Sequence, residues 1–308
     1  MKPSLLNWTY RSIDSVQGMF DSPVDMRKKI SRIKSLPPMP GMTAKLMQLA
    51  ADPLSDGNKL AEIIEMDPLL ATQVIRWANS AYFGYKGKIN SVRDAINRVL
   101  GYQVVFDLAL GLTALKPLKA PVDGVVGIRQ FWRHALASTH LTQAINKKIV
   151  QDFKVEPGLL FTVALIHNIG FPLLGSQFPD EFNMLENLIA ANPDIAIVRL
   201  ERFAFDLDHA ELGSWLLRTW SMPKAIVDVV YHHHNPEYRG EHFQANLQVY
   251  LNDCLLAILG YGDGEKWDSY LEIVEMLGLS LADCDLLMEE FVTKEEDINS
   301  LVEICLGQ

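Results

Sequence analysis

Cysteine is scarce in this chain, with three among 308 residues: Cys254, Cys284 and Cys305. An odd, scattered set inside apolar helical patterns excludes a disulfide framework and reads as reduced core thiols, none in a nucleophile's setting. Long apolar runs are missing too, since none approaches the ~20 residues of a membrane span. The opening Met1-Lys-Pro-Ser-Leu-Leu-Asn-Trp8 lacks the apolar core and cleavage signal of a secretory leader, so a cytosolic protein is expected. Sustained apolar-polar alternation is absent, which argues against a sheet, and no fixed-period repeat is present. Basic charge is also in short supply: 28 Lys and Arg face 38 Asp and Glu, for a net charge of −10. A chain without a dominant basic face is a poor partner for nucleic acid or anionic lipid.

The acidity is local. From Asp263 to Gln308 the net charge is −11, and the preceding 262 residues stand at +1. That segment keeps helical spacing at Leu271, Val274 and Leu277 and again at Leu286, Leu287 and Phe291, so it is expected to be folded or to fold on a partner. One basic cluster, Arg27, Lys28, Lys29, Arg32 and Lys34, precedes Leu36-Pro37-Pro38 and reads as a solvated helix face.

With 49% hydrophobic residues, the chain can bury one large core or two moderate ones. Proline and glycine mark its boundaries. Residues 1–35 read as a leader ending in an amphipathic helix, stopped by the stiff Leu36-Pro-Pro-Met-Pro40. A helical lobe covers 36–116, with Asp67-Pro68 as a helix start and Asn79-Ser80 as its end. Residues 117–127, rich in proline and glycine, read as a linker. A second helical lobe covers 128–260, and 261–308 is the acidic helical segment.

Buried polar residues are concentrated in the second lobe. Pro157 to Ile166 is apolar almost all round, which predicts a central helix terminated by Gly170, with His167 and Asn168 about 100° apart on its last turn. His134 shares a helical stripe with Ser138, Leu141, Ile145 and Ile149. Asp253 lies inside a helix apolar on most of its circumference, where a carboxylate is costly unless paired or metal-bound. The stripe Ile226, Val227, Val230 continues onto His233 and His234 and leaves His232 on the polar side. For His209 the favoured reading is the first position of a helix capped by Asp208 and Glu211. His134 and Asp253 can satisfy each other, and the histidine run also suits a helix C-terminus. Together, imidazoles and a carboxylate from separate helices suit zinc, iron or manganese.

The order His134, His167-Asn168, Asp253 resembles the His, His-Asp, Asp layout of the HD phosphohydrolase superfamily, and the surroundings resemble its HDOD branch, a relative of the HD-GYP proteins. The likeness is carried by Leu36-Pro-Pro-Met-Pro40, Asp67 to Gly84, Ile89 to Ile96, Phe131-Trp-Arg-His134, Asp208-His-Ala-Glu211-Leu-Gly213 and Trp220-Ser-Met-Pro223. It implies an all-α, two-lobed helical HDOD fold with an HD-like core in the second lobe. It also implies a regulatory module of bacterial signalling related to hydrolases but lacking their activity. In the catalytic pattern Asp follows the second His and Lys follows Gly; here Asn168 and Phe171 stand in those places. The expected pocket is therefore degenerate, with His134, His167, Asn168 and Asp253 as its ligands and His209, His233 and His234 where dinuclear relatives keep further histidines. It would hold iron, manganese or zinc at low or partial occupancy. The expected partners are separate signalling proteins such as a kinase, a cyclase or a response regulator. The alternative expectation is a metal-dependent phosphohydrolase acting on a nucleotide or cyclic dinucleotide.

Overall fold

The computed structural model describes residues 36–263 and 270–307, and these contain helices, turns and loops but no strand. The expected leader helix and its basic cluster lie outside the described residues. The starts of several helices follow local chemistry. After α1 (Gly41–Ala50), Asp56 opens α2 (Gly57–Glu65) by accepting the amides of Asn58 and Lys59. Asp67 opens α3 (Pro68–Ala78) by accepting those of Leu69 and Leu70, with Pro68 at the first helical position. Asn79 then ends α3 and anchors a distant loop, exchanging two hydrogen bonds with the backbone of Ile89 at 2.8 and 2.9 Å. Helix α4 (Val92–Ala95), capped by Ser91, widens into a turn over Ile96–Leu100. Gly101, at φ +79°, passes the chain into α5 (Gly101–Leu115), buried along most of its length.

The proline-glycine segment between residues 116 and 128 is pinned to the protein. Leu118 and Val126 are buried, and Glu186 accepts the amides of Val125 and Val126, each at 2.8 Å. It leads into α6 (Ile128–Lys148), which packs along α7 (Pro157–Ile166) in the centre of the molecule. The stretches Val92–Leu115 and Pro157–Gln177 are long and apolar enough to cross a membrane, contrary to the expectation from the sequence, and both are mostly buried inside the protein. Their hydropathy is that of core helices packed on all sides.

Gly170 does not terminate a helix. The chain leaves α7 at His167, makes one turn, and Gly170 begins α8 (Gly170–Gln177). The physical reason is close approach: a Cβ at Gly170 would lie 2.0 Å from the carbonyl oxygen of His209. Next come α9 (Pro179–Ala191), α10 (Ile197–Phe205), α11 (His209–Thr219), α12 (Lys224–His232) and α13 (Phe243–Ile258). Helix α11 packs on α8 and α12, α12 also meets α7, and α13 lies along α6.

The acidic segment folds back on the rest. Its helices are α14 (Leu271–Met276), α15 (Leu281–Val292) and α16 (Glu295–Cys305), and α16 packs against both α6 and α3. Arg129 pairs with Glu303, and Arg133 reaches Glu295 at 3.3 Å, so part of the tail's charge meets cations of α6. The three cysteines are free thiols, with Cys254 and Cys284 buried.

Candidate metal centre

The candidate side chains arrive at the centre from several separate pieces of chain. His134 lies in the second turn of α6, His167 closes α7, and Asp253 lies within α13, all three buried. His209 is the first residue of α11, His233 closes α12, and His234 follows it. His134 Nε2 is 2.9 Å from His167 Nε2, and Asp253 Oδ1 is 3.3 and 3.4 Å from those two nitrogens. Alongside, His209 Nε2 is 3.3 Å from His233 Nε2 and 3.0 Å from His234 Nε2. The two groups touch where the rings of His167 and His233 lie 5.0 Å apart. His232 stays outside and stacks on Tyr238 with ring centres 3.9 Å apart.

The outer nitrogens fix the tautomers. A carbonyl oxygen only accepts, so an imidazole nitrogen facing one must carry hydrogen. Nδ1 of His134 donates to Tyr261 O at 2.8 Å, that of His167 to Ala164 O at 2.9 Å and that of His233 to Val230 O at 2.7 Å. His209 Nδ1 meets Glu201 Oε2 at 2.6 Å. These four rings therefore present Nε2 lone pairs inward, the arrangement in which outer hydrogen bonds orient metal-binding histidines.

Lone pairs 2.9–3.3 Å apart repel unless a cation sits among them. Protons can supply it. Burial opposes charge on His134, yet Asp253 and Asp263 carry its pKa up to about 9. Burial likewise opposes charge on His209, but Glu201 and Asp263 raise its pKa well above the ordinary value. His233 goes the other way, held well below by burial and then by His234, His167 and His209. Burial alone would raise both aspartates, but the neighbouring imidazoles keep Asp253 and Asp263 below the usual carboxylate range.

Asp263 was not among the residues expected here. It is buried, with Oδ2 3.1 Å from His209 Nε2 and 3.5 Å from His234 Nε2. Read as part of the acidic tail, it is carried inward by the turn after α13, where Gly260 takes φ +80° and Gly262 passes beside His134. Its local signal is an acid between Gly262 and Gly264 directly after an apolar helix. Glu201 was also missed, although it lies on the apolar stripe of α10 with Ile197, Ala204 and Phe205. Asp208 does cap α11 by accepting the Glu211 amide, as expected, but His209 has this second set of contacts besides.

The buried oxygens without a hydrogen-bond partner among the described residues include Asn168 Oδ1, Asp253 Oδ2 and both oxygens of Asp263. Such atoms are costly unless something electropositive meets them. The residues fit divalent ions on this test and in their chemistry. His134, His167 and Asp253 form one donor set, and His209, His233, His234 and Asp263 another, the ligand atoms of each lying within 4.8 Å of one another. A cavity of about 430 Å³ opens beside them, lined by His134, Asn168, Phe171, Tyr261 and Asp263. The Phe171 ring stacks on His209 with centres 4.0 Å apart.

Comparison with known proteins agrees with the architecture. The profile of a family described as HDOD domain matches residues 36–236. A Marinobacter aquaeolei protein provisionally named for signal transduction shares 24% identity and a TM-score of 0.78, over 97% of this chain and 65% of that one. A Geobacter sulfurreducens HDOD domain protein of unknown function shares 21% identity and a TM-score of 0.73, over 90% and 95% of the two chains. An uncharacterized Treponema pallidum protein is 23% identical over 213 residues, 69% of this chain and 40% of that protein. The chain thus spans less than two thirds of the Treponema and Marinobacter proteins it resembles. At these identities the solved structures establish the fold.

Proposed function

This chain belongs to the HDOD domain family, and we propose that it is a regulatory module of signal transduction whose buried centre holds divalent transition metal without turning over phosphoesters. The likeness to a Marinobacter protein named for signal transduction supports the regulatory part. The observation that carries the rest is the pairing of a donor cage with an apolar ring: inward Nε2 lone pairs and two carboxylates face one another at distances that suit divalent ions, while Phe171 stacks on His209 where a phosphate-facing cation is expected. A hydrolytic site needs electrostatic contacts to the developing phosphoryl charge, and a phenyl ring makes none. Imidazole and carboxylate donors suit iron, manganese or zinc. In this reading Asp263 offsets the charge lost at Asn168, and the ions tie five stretches of chain into one rigid unit that separate signalling proteins recognise.

A second reading, hydrolysis of a nucleotide or cyclic dinucleotide, is favoured by Asp263, because it brings the number of carboxylates in the centre to two. Elemental analysis and turnover assays separate the two. The proposal expects iron, manganese or zinc in the purified protein, at partial occupancy of the two donor sets, and no phosphodiester turnover with added manganese or iron. Turnover abolished by His167→Ala would establish the second reading instead, and metal-free protein that stays metal-free after incubation with these ions would defeat both.

A further inference from the structure

A second cleft of about 490 Å³ lies away from the metal centre and shares no lining residue with its cavity. Five elements meet there: the end of α3 with the turn Ala81–Phe83, then α5, α6, α7 and α16. Its volume falls in the roughly 300–1,000 Å³ range of small-molecule sites. One wall is aromatic, made by Tyr82, Phe83 and Phe161, all half-buried, with Trp77 behind. Half-buried rings from separate elements around a void offer a stacking surface for a flat ligand.

Polar groups line the same cleft. Asp107 is fully buried, and its carboxyl is held by Thr162 Oγ1 at 2.5 Å and by Gln103 Nε2 at 2.9 and 3.1 Å. Gln103 is exposed, so its amide, held in place by the buried Asp107 carboxyl, is the hydrogen-bonding edge at the mouth of the cleft. Burial raises the Asp107 pKa to about 7, against the hydrogen bonds from Thr162 and Gln103, so the group can donate as well as accept. Lys147 and Lys294 complete the rim. Their charges, after burial, hold His140 below its ordinary pKa, which places both ammonium groups around one ring; His140 Nδ1 bonds Tyr82 Oη at 2.8 Å. Lys294 is the one lysine among the described residues of a strongly acidic segment, and it faces this cleft. Its nearest carboxylate is Asp297 at 3.4 Å, and the Glu156 carboxylate is engaged by the Leu159 amide at 2.7 Å.

A flat ring wall, a hydrogen-bonding edge and two cations at one rim match a heteroaromatic ring that carries phosphate. We propose that this cleft binds a mononucleotide, its base against the aromatic wall with an edge toward the Gln103 amide and its phosphate toward Lys147 and Lys294. The site is independent of the metal centre, and α7 connects them: Gly158 and Phe161 line the cleft at one end, and His167 closes the helix at the other.

Isothermal titration of the full chain in EDTA, with the fold verified by its thermal transition, tests this without a metal-borne phosphate site. AMP and GMP are the probes, with adenosine and ribose 5-phosphate as the separated halves. The expected result is saturable binding of at least one nucleotide, with Kd on the order of 10–100 µM, and about tenfold or weaker binding of each half. Lys147→Ala with Lys294→Ala should weaken the nucleotide about tenfold and leave adenosine unchanged, whereas Phe161→Leu should weaken both. The absence of saturable heat up to about 1 mM of either nucleotide overturns the proposal. So does binding that the lysine substitutions leave unchanged.

Discussion

Asn168 holds a buried amide oxygen without a hydrogen-bond partner at the edge of a cage that already contains two carboxylates. Replacing it with aspartate adds a charged donor, so Asn168→Asp is expected to raise metal content above the parent's, and Asp263→Asn to lower it, both read by elemental analysis of proteins prepared side by side. Asp107 makes a different prediction. Its folded-state pKa of about 7 lies above the ordinary 3.8, so between these values the unfolded chain releases a proton that the folded protein keeps. Stability from this group therefore falls as pH rises through that window and is constant above it. Asp107→Asn removes the titration. Its Tm relative to the parent should climb by several degrees from pH 4 to pH 7, about 2–4 °C for each kcal/mol, in a pH series of thermal melts. Most of the centre is legible in the amino-acid order, because a histidine or aspartate on an apolar stripe is conspicuous: His134, His233 and Asp253 all stand out this way. Asp263 is not, because an acid within an acidic segment looks solvated until the turn at Gly260 carries it inward.

The helices form where local and tertiary demands agree. Asp67 caps α3 and also pairs with Lys116 at the end of α5, so Asp67→Ala removes an N-cap and a cross-helix contact together. A loss of about 1 kcal/mol is expected in urea denaturation, most of it from the cap, because Lys116 is half exposed. The junction of α7 and α8 was the misread element. A glycine after an apolar helix suggests a stop, but Gly170 serves close packing, and no local pattern reports the His209 carbonyl that approaches it. Gly170→Ala must push α8 from α11. A cost of 1–3 kcal/mol or more is expected by denaturation, together with reduced metal content as His209 is displaced.

Across the molecule, the acidic segment acts as part of the body, with α16 lying on both α3 and α6. A chain ending at Gly260 exposes the faces it covers and strands Arg129 and Arg133 without Glu303 and Glu295. Its thermal transition should fall well below that of the full chain or lose cooperativity in calorimetry. The all-helical architecture was readable from periodicity, but the return of the tail was not, since its apolar spacing says that it packs without saying where.

The family match closes at residue 236, and both aspartates of the centre come later, at 253 and 263. A polypeptide trimmed to the matched boundary would keep every imidazole of the cage and neither anion. Five rings crowded together would then have only Glu201, on the outer side of His209, to balance an incoming dication, so such a fragment would misrepresent the parent in any survey of metal content.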